Sequence, residues 1–542
     1  MTITTDISFE YDTPPKLPPE EMSGIARAAM IIAVGNVASR VLGLVRDTTK
    51  SYFFGASGMV SAFNIAAKVP MWFYELLAGG MVSAALVPVF SEYAKPEKRA
   101  ELWQIVSFLL TLTAAGLAVL TLLGEMIAPQ ITWLIGGGLS PQALELSASL
   151  LHLTLPAMIF LNLAGVMAGV LYALQRFTLP AFNAAIFNLG IVLTTVFFAR
   201  KFGVHAMAVG LLLGAILQVL LQLPGLRDAR LRPVFNWAHP AVRRIARLYF
   251  PIVLGLVVDM ISRAISYRLA SGTGDESIAW MEYATTLMQF PLGLTSAAIS
   301  VAILPTLARQ AAARDLPLSD YEFLATLSKG LRLVLVLIIP ATIGLFLLAN
   351  PVVKLIFEHG DFRPRDTIMT TLVLRLYLLG LIAAAVDLPL VHAFYARQDA
   401  WTPAIVGLIG VFIYLAVALA PSFFRPMQLT DLIIATSVQL TTHMLIMLGL
   451  LRYRVGSLNG YGLGSTACKA TLASAVMAVL TAGSLYGTSI VTWHTTFMGE
   501  LAAVILPGLI GAVTYLGLMS QMGVPEITRL LSRFRLAADK LT

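Results

Sequence analysis

The chain has 542 residues, of which 58% are hydrophobic and only 12% charged, with a formal net charge of +8 and a mean hydropathy of +0.82. A soluble globular domain carries about 25% charged residues, so this composition excludes one and points to a polytopic membrane protein. Apolar runs such as VSFLLTLTAAGLAVLTLLG (106–124) and LVLVLIIPATIGLFLL (333–348) lack the alternation of barrel strands, which leaves an all-α bundle as the way to satisfy every backbone group in lipid.

In chain order, residues 1–23 come first. They are polar and proline-rich, with Asp6, Glu10, Asp12, Glu20 and Glu21 against Lys16. They lack the basic start of a cleavable signal peptide, and they read as a disordered cytoplasmic tail before an uncleaved helical anchor. At roughly 20 apolar residues per span, about fourteen transmembrane helices are expected. Their approximate spans are 24–46, 60–92, 103–124, 143–172, 180–200, 205–226, 246–271, 277–309, 325–349, 366–395, 402–424, 429–451, 466–487 and 496–521. The second, eighth and tenth are long enough to require tilting, kinking or extension beyond the bilayer.

The first span ends in SRVLGLVRD (39–47), which places Arg40, Arg46 and Asp47 in or near hydrocarbon. An intramembrane ion is costly and is by default a clue to function. On a helix Arg40, Gly43 and Asp47 share a face, because positions seven apart differ by only about 20°; Arg46 points elsewhere. The structural alternative is an Arg46–Asp47 pair at a water-exposed helix end, with Arg40 snorkelling.

The loops alternate in charge. Lys95, Lys98, Arg99 and Arg176, the dense group from Arg227 to Arg247, Arg309, Arg314, Arg397, Arg452 and Arg454 fall on one side. Loops 125–142 and 488–495 on the other side have no Lys or Arg, and 271–277 carries Asp275 and Glu276. This positive-inside pattern predicts a multi-pass membrane protein with both termini in the cytoplasm. It accounts for the basic balance without a nucleic-acid partner. The segment 527–541, ITRLLSRFRLAADKL, is basic and amphipathic, and suits anionic lipids of the inner leaflet.

The chain also repeats itself. LYALQRFTLPA (171–181) aligns with FYARQDAWTPA (394–404), LVPVFSEYA (86–94) with ILPTLARQA (303–311), GLVRD (43–47) with GLVVD (255–259), and SYFFGASG (51–58) with SYRLASGTG (266–274). The repeat covers six helices, an even number, so the halves are expected as parallel lobes. The expected organisation is an N-lobe at 24–226, a basic cytoplasmic linker at 227–245, a C-lobe at 246–452, two further helices at 453–522 and a basic tail at 523–542.

Cys468 is the sole cysteine, so no internal disulfide exists and no thiolate metal site is expected. HExxH, Walker and nucleophile-elbow motifs are absent, so enzyme chemistry finds no support. Without a nucleotide site, transport energy would come from the membrane potential, worth about 2.3 kcal/mol per charge per 100 mV, or from an ion gradient.

SRVLGLVRD, KVPMWFYELLAGGMVSAALVPVFSEY (68–93), WMEYATTLMQFPLGL (280–294), PVVKLIFEHGDF (351–362) and FYARQDAWTPA together resemble the MurJ/MviN lipid II flippases of the multidrug/oligosaccharidyl-lipid/polysaccharide exporter superfamily. The resemblance covers residues 24 to about 520, including the number of helices. It implies two six-helix lobes around a central cavity, and two extra helices forming a lipid-facing groove. It implies that lipid II, or a related polyprenyl-pyrophosphate glycolipid, crosses from the inner to the outer leaflet. Cell-wall synthesis proteins are possible partners. Such a carrier must hide an anionic head group while the tail stays in lipid, which calls for a cationic cavity where Arg gives bidentate and Lys point-charge contacts.

By the same resemblance Arg40, Arg46, Asp47 and Lys68 fall on charged, cavity-associated positions. Arg46, Arg40 and Lys68 are the expected substrate contacts, and Asp47 an orienting group. The sequence departs from the family elsewhere. Tyr74 and Glu75 stand where an arginine pair is usual, Thr285 and Thr286 where Asp-Arg is usual, and Ser61 where an acid is usual. The seventh helix instead carries Asp259, Arg263 and Arg268. Arg263 either replaces a lost cavity arginine or is neutralised by Asp259 at i,i+4. Asp387 is a candidate site for a coupling cation such as Na+ or H+; no other cofactor is expected. Arg397 and Asp399 read as a gate or turn-capping element. Two other readings stay open: export of another polyprenyl-linked glycan or amphiphile by cation antiport, and a non-transporting cell-wall scaffold working through its tails.

Overall fold

A computed structural model describes residues 19–79, 81–233, 239–313, 319–490 and 496–528. Most of the expected N-terminal tail, and the basic tail from 529 onward, lie outside the described residues. Those described form helices and turns with no strand. The N-terminal half comprises α1 (Pro19–Phe54), α2 (Gly58–Tyr74), α3 (Val87–Tyr93), α4 (Arg99–Met126), α5 (Ala128–Gly136), α6 (Pro141–Thr154), α7 (Ala157–Ala173), α8 (Thr178–Ala181), α9 (Asn183–Phe202) and α10 (His205–Gln222). The C-terminal half comprises α11 (Pro240–Ser271), α12 (Ser277–Leu292), α13 (Ala298–Ala312), α14 (Ser319–Phe357), α15 (Pro364–Ala396), α16 (Trp401–Leu419), α17 (Leu429–Arg454), α18 (Leu463–Ile490) and α19 (Phe497–Gln521).

Among the described residues ten helices are long and apolar enough to cross a bilayer. Two bent segments raise the number to twelve: α6 with α7, bent by 43°, and α11, bent by 45° between Phe250 and Ile252. Proline explains both bends, since Pro156 follows α6 and residue 251 is a proline without an N–H to give. The two other expected spans, 24–46 and 60–92, fall on α1 and on α2 with its continuation into α3. α1 carries Arg40, Arg46, Asp47 and Lys50, and α2 carries Lys68 and runs into the first π-turn at Glu75.

Single π-turns interrupt the second and eighth segments. Glu75–Gly79 and Val82–Leu86 interrupt the path from α2 to α3, and Gly293–Ala297 interrupts the path from α12 to α13. Glu75–Gly79 and Gly293–Ala297 occupy corresponding places in the two lobes, each upstream of the paired LVPVF and ILPTL sequences. The repeat is visible in the backbone a second time. Gln175 and Gln398 are the non-glycine residues with positive φ among those described, at 58° and 60°. They occupy the same place in LYALQRFTLPA and FYARQDAWTPA, so each lobe makes the same left-handed turn after its fourth helix.

The main apolar core runs through both lobes and includes Val60, Ile65, Tyr283, Phe357 and Leu381. A second core, in the N-lobe, packs Leu86, Val89 and Trp103 against Ala241, Val242, Ile245 and Tyr249. The start of α11 therefore belongs physically to the N-lobe, before its bend carries it into the C-lobe. At the end of the bundle that the charge bias assigns to the outside, the lobes are stitched together. The Ser140 N–H donates to Asp275 Oδ1 at 2.7 Å and the Gly138 N–H to Ser271 Oγ at 3.0 Å. The Ala279 N–H donates to Ser61 Oγ at 3.2 Å, the Tyr283 hydroxyl to the Gly55 carbonyl at 2.8 Å, and the Asp361 N–H to the Tyr52 carbonyl at 3.0 Å.

Candidate functional site

Directly beneath these seams lies a group of ionised side chains from both lobes. Asp47 is 1% exposed. It accepts two hydrogen bonds from Arg46, pairs with Lys50 Nζ at 3.2 Å, and accepts the Thr286 hydroxyl of α12 at 3.0 Å. Lys50, also buried, lies 4.8 Å from the centre of the Tyr283 ring. A buried triad stands in place of the alternative reading, a water-exposed helix-end pair, because α1 continues to Phe54 and carries Asp47 and Lys50 into the lobe interface.

Arg46 reaches its neighbour by folding its guanidinium back along α1. Its third hydrogen bond goes to Asn188 Oδ1 on α9 at 3.1 Å. A guanidinium has five N–H donors, so two of Arg46's remain, and its side chain keeps 25% exposure. One face of α1 away, the Arg40 guanidinium lies on the backbone of α12's end, so close that a Cβ at Gly293 would overlap it. Glycine is required there for the approach. The Asp47–Thr286 and Arg40–Gly293 contacts are each seven residues apart on their helices, so α1 and α12 run antiparallel through the site. Arg40 has no carboxylate partner among the described residues.

From α2, Lys68 Nζ pairs with Glu282 Oε2 of α12 at 3.0 Å, and Glu282 also accepts the Tyr267 hydroxyl of α11. The four cations Arg40, Arg46, Lys50 and Lys68 therefore face two carboxylates, Asp47 and Glu282, which leaves the group net positive. Arg263 lies apart from it. Its guanidinium is held by Asp259 on its own helix and by Glu75 of the first π-turn at 2.8 Å. That clasp joins the lobes and carries more negative than positive charge.

The remaining candidates fall elsewhere in the C-lobe. Asp387 of α15 faces His443 Nδ1 of α17 at 2.9 Å, and its other oxygen has no partner among the described residues. Asp399 accepts the Thr402 N–H at 2.9 Å and the Thr402 hydroxyl at 2.6 Å, and pairs with Arg454. Burial alone would raise its pKa, but the Thr402 bonds and the Arg454 charge outweigh this and hold the carboxyl below its usual range. Arg397 pairs with Asp320 at 2.8 Å. These two contacts tie the 397–399 turn to the ends of α14 and α17.

Sequence reasoning missed Lys50, Tyr267, Glu282, Asn188 and His443. Lys50 had a local signal, three residues after Asp47 on the same helix. Glu282 lay inside a quoted motif without being read as a charge. Asn188 and His443 had none, since their partners are far away in sequence.

The charged inter-lobe group matters because of what the chain is similar to. A family model described as lipid II flippase MurJ matches residues 50–506. The lipid II flippase MurJ of Burkholderia cenocepacia is 31% identical over 397 residues, covering 71% of this chain and 76% of its own. The chain belongs to the MurJ family. The probable lipid II flippase MurJ of Bdellovibrio bacteriovorus is 27% identical over 520 residues, 94% of this chain and 97% of its own. Among solved structures, a lipid II flippase MurJ in an inward closed conformation superposes with a TM-score of 0.75 at 23% identity, over 91% of this chain and 98% of that one. A multidrug resistance MATE family transporter in an inward-facing conformation gives a TM-score of 0.62 at 14% identity, over 78% and 95%. Both structural likenesses are likenesses of fold. Membership of the MurJ family makes this multi-span membrane protein a transporter rather than an enzyme.

Proposed function

We propose that this protein flips lipid II from the inner to the outer leaflet of the bacterial cytoplasmic membrane, with both termini in the cytoplasm. The observation that carries the reading is the net positive group between the lobes, in a chain whose relatives are named lipid II flippases. Arg40, the two remaining donors of Arg46 and the Lys68 ammonium receive the pyrophosphate. Asp47 and Lys50 fix Arg46 in place. Charge-assisted contacts to phosphate are roughly twice as strong as neutral ones, and they offset the loss of water around the head group while the polyprenyl tail stays in lipid.

Transport follows by alternating access. The seams at Ser140–Asp275, Gly138–Ser271 and Asp361–Tyr52 hold the outer side shut, and their opening exposes the head group to the outside. Arg263 acts as a clasp between lobes, since Glu75 and Asp259 already occupy its guanidinium. A net cationic carrier returns inward with the membrane potential. A proton gradient can add to this through Asp387, whose single neighbouring base is an imidazole; a histidine–carboxylate pair suits a proton better than Na+, which seeks several oxygens. Anionic lipids contact the basic tail, and cell-wall synthesis proteins are the partners that would take up the product.

The test is binding to the full chain in phosphatidylcholine nanodiscs. Lipid II is expected to bind, with loss of affinity in Arg40→Gln and Lys68→Gln. Equal binding by wild type and both variants would contradict the assignment. Preference for a different polyprenyl-linked glycan would move the substrate, and no binding by any of them would favour a scaffold.

A further inference from the structure

A second cationic site lies on the N-lobe, away from the lobe interface. Two cavities meet beside α4. One, of 540 Å³, is lined by Trp103, Ser107, Arg230, Arg232 and His239. The other, of 470 Å³, is lined mainly by apolar side chains, among them Leu110, Leu163, Met167 and Val219 of α4, α7 and α10. Arg232 and Ser107 line both. Each volume falls within the roughly 300–1,000 Å³ of small-molecule sites.

The junction is built rather than incidental. The Arg232 N–H donates to the buried Ser107 hydroxyl at 3.1 Å, which fixes the segment after α10 onto α4. His239 accepts the Ala241 N–H on Nδ1 at 3.2 Å. That bond puts the ring proton on Nε2, a donor. Arg230 and Arg232 have no ion-pair partner among the described residues, although Arg176, Arg99 and Arg244 nearby are all paired, with Asp228 or Glu92. Two guanidiniums without an ion-pair partner among the described residues, Arg230 lining the first cavity and Arg232 lining both, lie at the basic end of the bundle and match an amphiphile with an anionic head and a hydrocarbon tail. Basic pockets between helices at the cytoplasmic side are a known physical solution for such head groups.

We propose that this junction is a binding site for one anionic phospholipid of the inner leaflet. Its phosphate takes bidentate contacts from Arg230 and Arg232, and one acyl chain lies along α4 in the second cavity. The site is independent of what the lobe interface carries.

The experiment uses the full chain in phosphatidylcholine vesicles containing a minor fraction of phosphatidylglycerol with a photoreactive diazirine in its acyl chain. After illumination, labelled peptides are mapped by mass spectrometry. Labelling is expected to concentrate on residues 110–115 and 163–167, relative to the lipid-facing 405–412 stretch of α16 as an internal reference. Arg230→Gln with Arg232→Gln should reduce that enrichment by about tenfold, the loss expected for charge-assisted phosphate contacts. Ala114→Trp, which fills the second cavity, should reduce it with the arginines intact. Unchanged enrichment in either variant, or equal enrichment with diazirine phosphatidylcholine, would overturn the proposal.

Discussion

The Thr286 hydroxyl of α12 donates to the buried Asp47 carboxylate of α1 at 3.0 Å, so a side chain of the C-lobe completes the coordination of the acid that fixes Arg46. The acid is shared by two cations on its own helix and a hydroxyl on the other lobe. Removing one member of such a set strands the others.

Asp47→Asn should therefore destabilise the protein strongly. Breaking a buried ion pair by removing one partner costs about 3–5 kcal/mol, and Lys50 has no second carboxylate at contact distance among the described residues. Thermal unfolding of the purified chain in detergent should show a clearly lower midpoint. Adding Lys50→Met should restore part of the loss, because the uncompensated charge is then gone. An unchanged midpoint in Asp47→Asn would refute this account of the triad.

Gly293→Val should impair transport with little change in unfolding midpoint. Its side chain would occupy the space of the Arg40 guanidinium, which is the flexible end of a long residue and can move aside. Transport should fall to the level of Arg40→Gln, and combining the two changes should bring no further loss. Additive losses would mean that Gly293 acts on something other than Arg40.

Much of this arrangement was legible in the sequence, and the remainder was hidden for identifiable reasons. The lobes were visible because LYALQRFTLPA and FYARQDAWTPA are alike, and Gln175 and Gln398 share a rare backbone conformation. Arg40, Arg46 and Asp47 were visible because ions stand out in an apolar helix. Lys50 was overlooked because the expected span stopped at 46, whereas α1 runs to Phe54. The Lys68–Glu282 and Asp387–His443 pairs join different helices, and no local pattern announces such a partner. The π-turns in the second and eighth segments were not read from the sequence.

Arg263→Gln should weaken transport less than Arg40→Gln does. Arg263 is already held by Asp259 and Glu75, while Arg40 has its donors available. The loss in Arg263→Gln should be partly recovered by adding Glu75→Gln, which removes the carboxylate left facing the gap. Transport rates measured side by side decide it; a greater loss in Arg263→Gln would return that arginine to the substrate site.

The 397–399 turn should show an acid-sensitive contribution to stability. The folded-state pKa of Asp399 is lowered from 3.8, so its contribution is present above the unfolded value and is lost as pH falls through the folded one. The midpoint of Asp399→Asn should lie below that of wild type at neutral pH, and the gap should narrow at pH about 3. A gap that does not depend on pH would contradict the assignment.

The most direct measurement is the appearance of labelled lipid II in the outer leaflet of cells depleted of their own flippase and expressing this chain, alone or with Arg46→Ala. Restored flipping by wild type, with loss in an equally expressed Arg46→Ala, is the predicted result. No flipping by a well-inserted wild type, or flipping at the same rate by the variant, would contradict the claim that lipid II crosses through the cationic site between the lobes.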